Sequence, residues 1–394
     1  MRIAIVIDNL SFGGSKTVCI DYINILCELG HEITVYNLTP KRREIEHRIP
    51  EGVRVVHYNF PLDASPTRYY IGIKAYRMGK YVFPFVYMIK SLGVLLRKLI
   101  FVDRKQEYDL AIAFSGHYND MVFVDHNFVK SKKKLCWTHG ALYQNFVSSD
   151  GFVDSYLKIK NIIVLNETAQ EEVLAANHYL NLEKNLNIRK LHNPIRMEEK
   201  VIDREKVKKL RDMYNDFVIM VARFSYPHKD QYTVVDAMRI LKEKYGLIKN
   251  VVFLGDGPEK ENVEAYAKKV GMIEQCKFVG AHDDVQNYYA AAHMLVHSSI
   301  AFEGFALILV EAMHYNIPVV STDTMVGPRE VLGNDEYGLL CGVRDSSGMA
   351  EKIALLYNDK DVYANYVEAG KRRREDFSYK VIGEQLQKII SELK

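Results

Sequence analysis

Two glutamates interrupt an otherwise apolar stretch of the chain and are its strongest indication of chemistry. Glu303 and Glu311 flank the apolar run 305–310. The spacing after Gly304 predicts a helix, along which eight residues span about 12 Å. Carboxylates accept hydrogen bonds from sugar hydroxyls, and the backbone N–H groups at a helix start favour phosphates. The pattern therefore indicates a nucleotide-sugar ligand.

An alternative places Glu303 in a loop before the helix and Glu311 at a solvated helical position. The neighbouring residues argue against it. Residues 305–310 are apolar without a break, and residues 317–320 have the composition of a buried strand. We therefore expect Glu311 to be shielded from bulk water.

The stretch resembles the signature of the family 4 retaining glycosyltransferases, which have the GT-B fold. The similarity extends to residues 316–321 and 327–331, where such enzymes carry a strand and a second phosphate-side loop. Ala306 and Asn316 depart from the pattern, because the family often has glycine at both positions. The resemblance implies an α/β fold of two doubly wound, Rossmann-like domains that face each other across a cleft.

Length and composition agree with a two-domain protein. The 394 residues, 48% of them hydrophobic, suit two domains of about 190 residues. A net charge of +3 is too small for a general nucleic-acid binder, so no nucleic-acid partner is expected. The five cysteines are scattered and lack any C-x-x-C spacing, which fits a reducing cytoplasm and predicts neither disulfides nor a zinc site. The amino terminus indicates a strand rather than a signal peptide, and no transmembrane helix is predicted.

Short apolar runs alternate with helical patterns in two series, which predicts two parallel sheets covered by helices. The first series of strands is 3–7, 33–36, 53–58, 110–114, 135–138 and 162–165. The second series is 218–222, 251–255, 277–280, 294–297, 317–321 and 338–340. We expect an acceptor-binding domain over 1–195 and a donor-binding domain over 196–375. The resemblance implies that a helix in 376–394 crosses back to the first domain.

Gly13 and Gly14 follow the first strand and open a helix, so the backbone there could approach a ligand closely. A bare turn would need no ligand and is the alternative. The pattern is neither G-x-G-x-x-G nor a P-loop, which disfavours a dehydrogenase or a P-loop NTPase. The resemblance matches these glycines to the family's glycine-rich first loop and implies contact with the donor.

Arg223 and Lys229 follow the first strand of the second series, where two cations could hold a diphosphate and stabilise the departing phosphate. Simple solvation is the alternative. The pair resembles the family's Arg and Lys, although the loop between them is one residue longer than usual. The resemblance implies catalytic and donor-binding roles for Arg223, Lys229 and Glu303. It also implies donor contacts at Gly304, Phe305 and Glu311.

Two histidines follow predicted strands of the first domain, His117 after residue 114 and His139 after residue 138. An imidazole can hydrogen-bond a sugar hydroxyl or a developing charge, but a loop histidine is more often structural. The resemblance implies a catalytic position for His117 beside the donor sugar and an acceptor-side position for His139.

No metal site is predicted. The only Asp-x-Asp, at 359–361, lies in a polar stretch that we interpret as a solvated turn. We expect no essential metal or cofactor, with Arg223 and Lys229 taking the role of the cation.

The segment 64–102 contains no acidic residue, while seven basic residues alternate with aromatic ones. Basic residues attract anionic headgroups and aromatic rings prefer the membrane interface, which predicts peripheral attachment to an anionic membrane. An amphipathic hairpin packed on its own domain and a basic channel for a phosphorylated acceptor are alternatives. Resemblance to enzymes that extend lipid-linked glycans favours the membrane, at its inner face.

The residues and the resemblance together predict a retaining glycosyltransferase. We expect it to transfer a sugar from a nucleoside diphosphate sugar, preferably a UDP-sugar, to a hydroxyl of a glycan, preferably a lipid-linked one, in polysaccharide or glycoconjugate biosynthesis. A nucleotide-sugar epimerase or phosphorylase on the same fold is one alternative, and a non-catalytic sugar-binding scaffold is another.

Overall fold

The computed structural model describes residues 1–60, 78–101, 103, 105–116, 118–139, 150–179, 186–196, 201–300, 303–324 and 327–393. The chain forms two compact units. Unit 1 comprises Met1–Pro194 together with Tyr379–Lys394, and unit 2 comprises Ile195–Ser378. The boundaries that the sequence predicts, after residues 195 and 375, lie close to these.

Unit 1 is built on a sheet of parallel strands. These are β1 Arg2–Ile7, β2 Glu32–Asn37, β3 Arg54–His57, β4 Glu107–Ala113, β5 Lys130–Trp137, β6 Asn161–Val164 and β7 Asn187–Lys190. Their order is β3-β2-β1-β4-β5-β6-β7, which is a Rossmann sheet with an added edge strand. The sequence predicts the first six strands and misses β7.

The helices of unit 1 cover this sheet. They are α1 Gly14–Glu28, α2 Gly79–Ile100, α3 Tyr118–Asp125, α4 Asp150–Ile159 and α5 Glu167–Tyr179, with a short 3-10 turn at Glu46–Arg48. A cluster of aromatic rings closes one side of the sheet, and within it Phe123 stacks on Phe128 with ring centroids 4.5 Å apart. Burial of such rings is a large hydrophobic contribution to stability.

Unit 2 contains a second parallel sheet. Its strands are β8 Phe217–Val221, β9 Asn250–Leu254, β10 Cys276–Gly280, β11 Met294–His297, β12 Val319–Thr322 and β13 Leu339–Cys341. The order β10-β9-β8-β11-β12-β13 is again that of a Rossmann sheet. All six strands are where the sequence predicts them. The strand order reverses between β8 and β11, and open α/β sheets bind ligands at such a point, beyond the carboxyl ends of the strands.

Eight helices pack on this sheet in the part of unit 2 that the structure describes. They are α6 Arg204–Tyr214, α7 Gln231–Tyr245, α8 Lys260–Lys269, α9 Val285–Ala291, α10 Leu307–His314, α11 Gly327–Leu332, α12 Ser346–Asn358 and α13 Lys360–Glu375.

The Asp-x-Asp at 359–361 has a structural role in this unit. The Asp359 carboxylate accepts hydrogen bonds from the backbone N–H groups of Asp361 and Val362, each at 3.0 Å, and so caps α13. The sequence interpretation as a solvated turn is corrected to a helix N-cap.

The last helix, α14 Tyr379–Glu392, packs within unit 1. The Tyr379 hydroxyl donates to Asp21 Oδ1 at 2.6 Å, and Lys133 Nζ donates to the Leu393 carbonyl at 2.6 Å. These contacts hold both ends of α14 on the first unit, where the resemblance places it.

The five cysteines carry free thiols, four of them buried. No described helix is long and apolar enough to cross a bilayer.

Candidate functional site

The loop after β8 carries Arg223 and Lys229. Hydrogen bonds to its backbone groups hold it in place. Phe224 N–H donates to the Asp256 carbonyl at 3.1 Å, and Gln231 Nε2 donates to the Arg223 carbonyl at 3.2 Å. A Cβ on Gly257 would lie 2.2 Å from the Phe224 carbonyl oxygen, so only glycine allows this approach. Gly257 was not among the predicted site residues, although Gly-Asp-Gly-Pro directly after a buried strand is a signal for such a turn.

The same loop is joined to the loop after β11. Asp230 N–H donates to the Ser298 carbonyl at 3.0 Å, and Ile300 N–H donates to the Pro227 carbonyl at 3.3 Å. Because β8 and β11 are adjacent in the sheet, both loops leave it at the same edge. The ends of two strands that are distant in sequence are therefore brought together.

Lys229 and Glu303 meet at this edge. Lys229 Nζ and Glu303 Oε1 form a direct ion pair between side chains that are only 20% and 11% exposed. Such a sheltered pair holds a carboxylate and an ammonium in fixed positions, where each could also meet a ligand. The structure thus brings together two of the residues that the sequence predicts.

Arg223 lies on the same loop but is exposed. Within the described ranges its guanidinium has no ion-pair partner. A planar guanidinium at this edge is available for bidentate contact with a phosphate.

The structure corrects the position of Glu303 relative to the helix. Because α10 begins at Leu307, Glu303 precedes the helix and the 12 Å helical spacing to Glu311 does not apply. The part of the alternative that placed Glu303 in a loop is right.

The loop that carries Glu303 packs against the start of α11. The Glu303 carbonyl accepts from Gly327 N–H at 3.2 Å, and a Cβ on Gly327 would lie 3.0 Å from Phe305 N. Phe305 is buried, with its ring 5.2 Å from that of Phe377. Its side chain therefore belongs to the core and does not make the predicted donor contact.

The two positions where the family often has glycine adopt left-handed backbone conformations. Ala306, with φ 50°, precedes α10, and Asn316, with φ 59°, follows it. Asparagine tolerates this conformation, whereas alanine there is strained by about 1–2 kcal/mol. The turns are kept although the glycines are not.

Glu311 is half-buried and hydrogen-bonded, so it is shielded from bulk water only in part, less than its apolar neighbours predict. The buried Tyr289 hydroxyl donates to Glu311 Oε2 at 3.0 Å, and the Tyr289 ring stacks on Tyr315 with centroids 5.4 Å apart. Burial, followed by the Glu311 charge, raises the pKa of Tyr289 well above its ordinary value, so the phenol keeps its proton and remains a donor. The carboxylate is therefore held in one orientation.

Replacing Tyr289 by phenylalanine should lower the free energy of unfolding of unit 2 by about 1.5–3 kcal/mol, because a hydrogen bond to a charged group is lost. Urea denaturation of the full chain measures this change. Tyr315→Phe is the matched control, since its hydroxyl has no hydrogen bond among the residues described. Equal losses in the two variants would contradict the assignment.

In unit 1, Gly13 and Gly14 lie at the start of α1, where the sequence predicts them, and the Gly13 carbonyl accepts from Lys16 N–H at 3.1 Å. His139 Nε2 donates to the Phe114 carbonyl at 2.7 Å, so its ring connects the ends of β5 and β4. His117 lies outside the described residues.

A buried polar network that was not predicted from the sequence lies at the edge of the first sheet where β1 and β4 end. The Asp8 carboxylate accepts from Asn9 Nδ2 at 2.8 Å and from Asn119 Nδ2 at 2.9 Å, while Asp8 N–H donates to Ser115 Oγ at 3.0 Å. These bonds join the loops after β1 and β4. Only the assembled sheet brings them together.

Comparison with known proteins agrees with this architecture. The family model for glycosyl transferases group 1 matches residues 201–373, which lie in unit 2. A protein of Haemophilus influenzae described as an uncharacterized glycosyltransferase is 23% identical over 393 residues, covering 98% of this chain and 96% of the relative. A Campylobacter jejuni N-acetylgalactosamine-N,N'-diacetylbacillosaminyl-diphospho-undecaprenol 4-alpha-N-acetylgalactosaminyltransferase is 24% identical over 380 residues, covering 95% of each chain.

Solved structures share the fold over the whole chain. Anabaena HepE in complex with UDP has a TM-score of 0.74 at 20% identity and covers 100% of both chains. S. aureus TarM, in a complex that contains UDP, has a TM-score of 0.69 at 13% identity and covers 99% of this chain and 100% of its own. The two Rossmann-like units therefore form the GT-B fold. The family match and the relatives that span the chain support a glycosyltransferase of this fold, with its group 1 region in unit 2.

Proposed function

We propose that the chain is a retaining, metal-independent glycosyltransferase of family 4 that uses a nucleoside diphosphate sugar, preferably a UDP-sugar. The acceptor is a hydroxyl of a lipid-linked glycan in polysaccharide biosynthesis. The observation that carries the proposal is the pairing of Lys229 with Glu303 at the reversal point of the second sheet, with Arg223 on the same loop.

Each group has a role in this reaction. Arg223 and Lys229 bind the diphosphate and stabilise its charge as the bond to the sugar breaks. Glu303 accepts hydrogen bonds from hydroxyls of the donor sugar, and Glu311, oriented by Tyr289, accepts them from hydroxyls at the nucleoside end. In a front-face transfer, the leaving phosphate takes the proton of the acceptor hydroxyl. The sugar then keeps its anomeric configuration without a covalent intermediate on the protein.

The relatives support this choice of substrates. The Campylobacter jejuni relative is named for a diphospho-undecaprenol glycan acceptor, and structures of Anabaena HepE contain UDP or UDP-glucose. A nucleoside diphosphate donor fits Arg223 and Lys229 of unit 2.

Nucleotide binding tests the proposal. Titration calorimetry of the full chain with UDP, GDP and ADP, in buffer with excess EDTA, should give saturable binding of one nucleotide per chain. Chelation should not weaken it, because Arg223 and Lys229 supply the positive charge. Failure of all three nucleotides to bind, or binding that requires added magnesium or manganese, would contradict the proposal.

A membrane partner is proposed for α2. Its exposed apolar side chains recur every three or four residues and so form one face of the helix; they include Phe85, Met88, Leu92, Leu95, Leu96 and Leu99. Lys90, Arg97 and Lys98 belong to the same acid-free helix. Such a face fits an anionic bilayer surface, into which apolar side chains dip while cations meet headgroups. The apolar contribution was not part of the prediction from sequence.

Vesicle co-sedimentation tests this docking. The wild type should bind phosphatidylglycerol vesicles more strongly than neutral ones, and binding should weaken at 1 M salt, where the Debye length is about 3 Å. The double variant Leu92→Asp and Leu96→Asp should lose most binding. The control Ile248→Asp, an exposed apolar position in unit 2, should not. Unchanged binding of the double variant, or equal binding to neutral vesicles, would exclude a membrane-docking role for this face.

A further inference from the structure

A buried histidine lies directly behind the Lys229–Glu303 pair. His297 is the last residue of β11 and has no exposed surface. Its Nε2 lies 3.8 Å from Glu303 Oε1, which is too long for a hydrogen bond. Among the described residues, neither ring nitrogen has a hydrogen-bond partner.

An imidazole in this position is costly for the fold. Burial, and then the nearby Lys229 charge, lower the pKa of His297 well below its ordinary value, so the ring is neutral. A neutral ring still carries one N–H donor and one acceptor nitrogen, and both are desolvated here without compensation. A leucine would fill a similar space without that penalty.

Donor binding changes which hydrogen-bond donor is available to the Glu303 carboxylate. In the proposed function Lys229 contacts the diphosphate, so it must share or release the Glu303 carboxylate. A carboxylate that is only 11% exposed needs a replacement donor at that moment. The His297 ring in the described part of unit 2 is a candidate donor, because its Nε2 must move only from 3.8 Å to about 3 Å from the carboxylate to form a hydrogen bond.

We infer that His297 is a positioning residue. It replaces Lys229 as the hydrogen-bond donor to the Glu303 carboxylate, through Nε2–H donation to Oε1, when Lys229 contacts the donor diphosphate. The contact holds Glu303 in place for the sugar hydroxyls. The inference rests on the proposed function for its trigger, but it also predicts a coupling among Lys229, His297 and Glu303 in the unliganded protein.

Thermal unfolding of four unliganded full-chain proteins tests this coupling: the wild type, His297→Leu, Lys229→Met and the double variant. In the wild-type background, His297→Leu should raise Tm by about 2–4 °C, because two unpaired polar atoms are removed. In the Lys229→Met background the same change should lower Tm by a similar amount, because Glu303 then depends on His297. The same sign in both backgrounds would overturn the inference, whether or not the protein binds nucleotide.

Steady-state kinetics then tests the liganded state. His297→Leu should lower kcat by about ten- to a hundredfold, since a hydrogen bond to a buried charge is lost. His297→Gln, whose amide Nε2–H can also donate, should recover most of that loss. Full activity of the leucine variant, or equal loss in the two variants, would contradict the inference that His297 replaces Lys229 as the donor to Glu303. A wild type that binds no nucleoside diphosphate would instead disprove the proposed function. The coupling among Lys229, His297 and Glu303 would then be decided by the thermal unfolding of the four unliganded proteins alone.

Discussion

Glu303→Ala is expected to lower turnover by about a hundred- to a thousandfold, the usual effect of removing one group that stabilises the transition state, or about 2.7–4 kcal/mol. The carboxylate is sheltered and paired with Lys229, so its loss removes a sugar contact and also releases the cation that should face the diphosphate. Measurement of kcat/KM for the donor, with circular dichroism to establish folding, checks this result.

The control for this variant is Glu261→Ala, which removes an exposed carboxylate from α8. Its activity should equal that of the wild type. Glu303→Gln separates charge from shape, because it keeps the size of the side chain but cannot pair with an ammonium ion. Near-normal turnover in both Glu303 variants would remove this residue from the site.

Arg223→Ala should cause a loss of similar size, with the fold unchanged. Arg223 is exposed and unpaired within the described ranges, so no structural contact is broken when it is removed. Its expected function is to stabilise the charge that grows on the leaving diphosphate. Loss of the Arg223 side chain should therefore lower kcat. Steady-state kinetics with the preferred donor measures the effect.

The matched control is Arg239→Ala, which removes an arginine that pairs with Glu243 on the surface of α7. Exposed pairs of this kind contribute roughly 0–1 kcal/mol, so activity and stability should change little. A common loss in both arginine variants would indicate a general charge effect instead of a site at Arg223.

The sheets could be predicted because buried parallel strands contain short apolar runs, and twelve strands carry such a run. In β5 the run covers only the end of the strand, so the polar residues 130–134 were not predicted as part of it. The edge strand β7, Asn187–Lys190, does not, because it contains one apolar residue among polar ones. The start of α10 was also misplaced. Phe305 is apolar because its loop is buried, and the periodicity cannot separate a buried loop residue from the first turn of a helix.

The types of the site residues were visible in the sequence, but their arrangement was not. Lys229 meets Glu303 only because β11 lies beside β8 in the sheet. Along the chain β8 and β11 are separated by β9 and β10. The contribution of Gly257 depends on a backbone approach that no periodicity reports. His297 was hidden within an apolar strand, and only its burial and its distance from Glu303 distinguish it from an ordinary core residue.

A transfer assay of the full chain in EDTA decides whether the protein is a retaining, metal-independent glycosyltransferase. Each member of a panel of nucleotide-sugars is supplied with lipid-linked glycan acceptors, and products are followed by NMR of the anomeric protons. We expect acceptor-dependent release of a nucleoside diphosphate from one donor and a glycosidic bond that keeps the anomeric configuration of that donor. Conversion of the sugar without an acceptor, a product of inverted configuration, or no release of nucleotide from any donor would contradict this expectation.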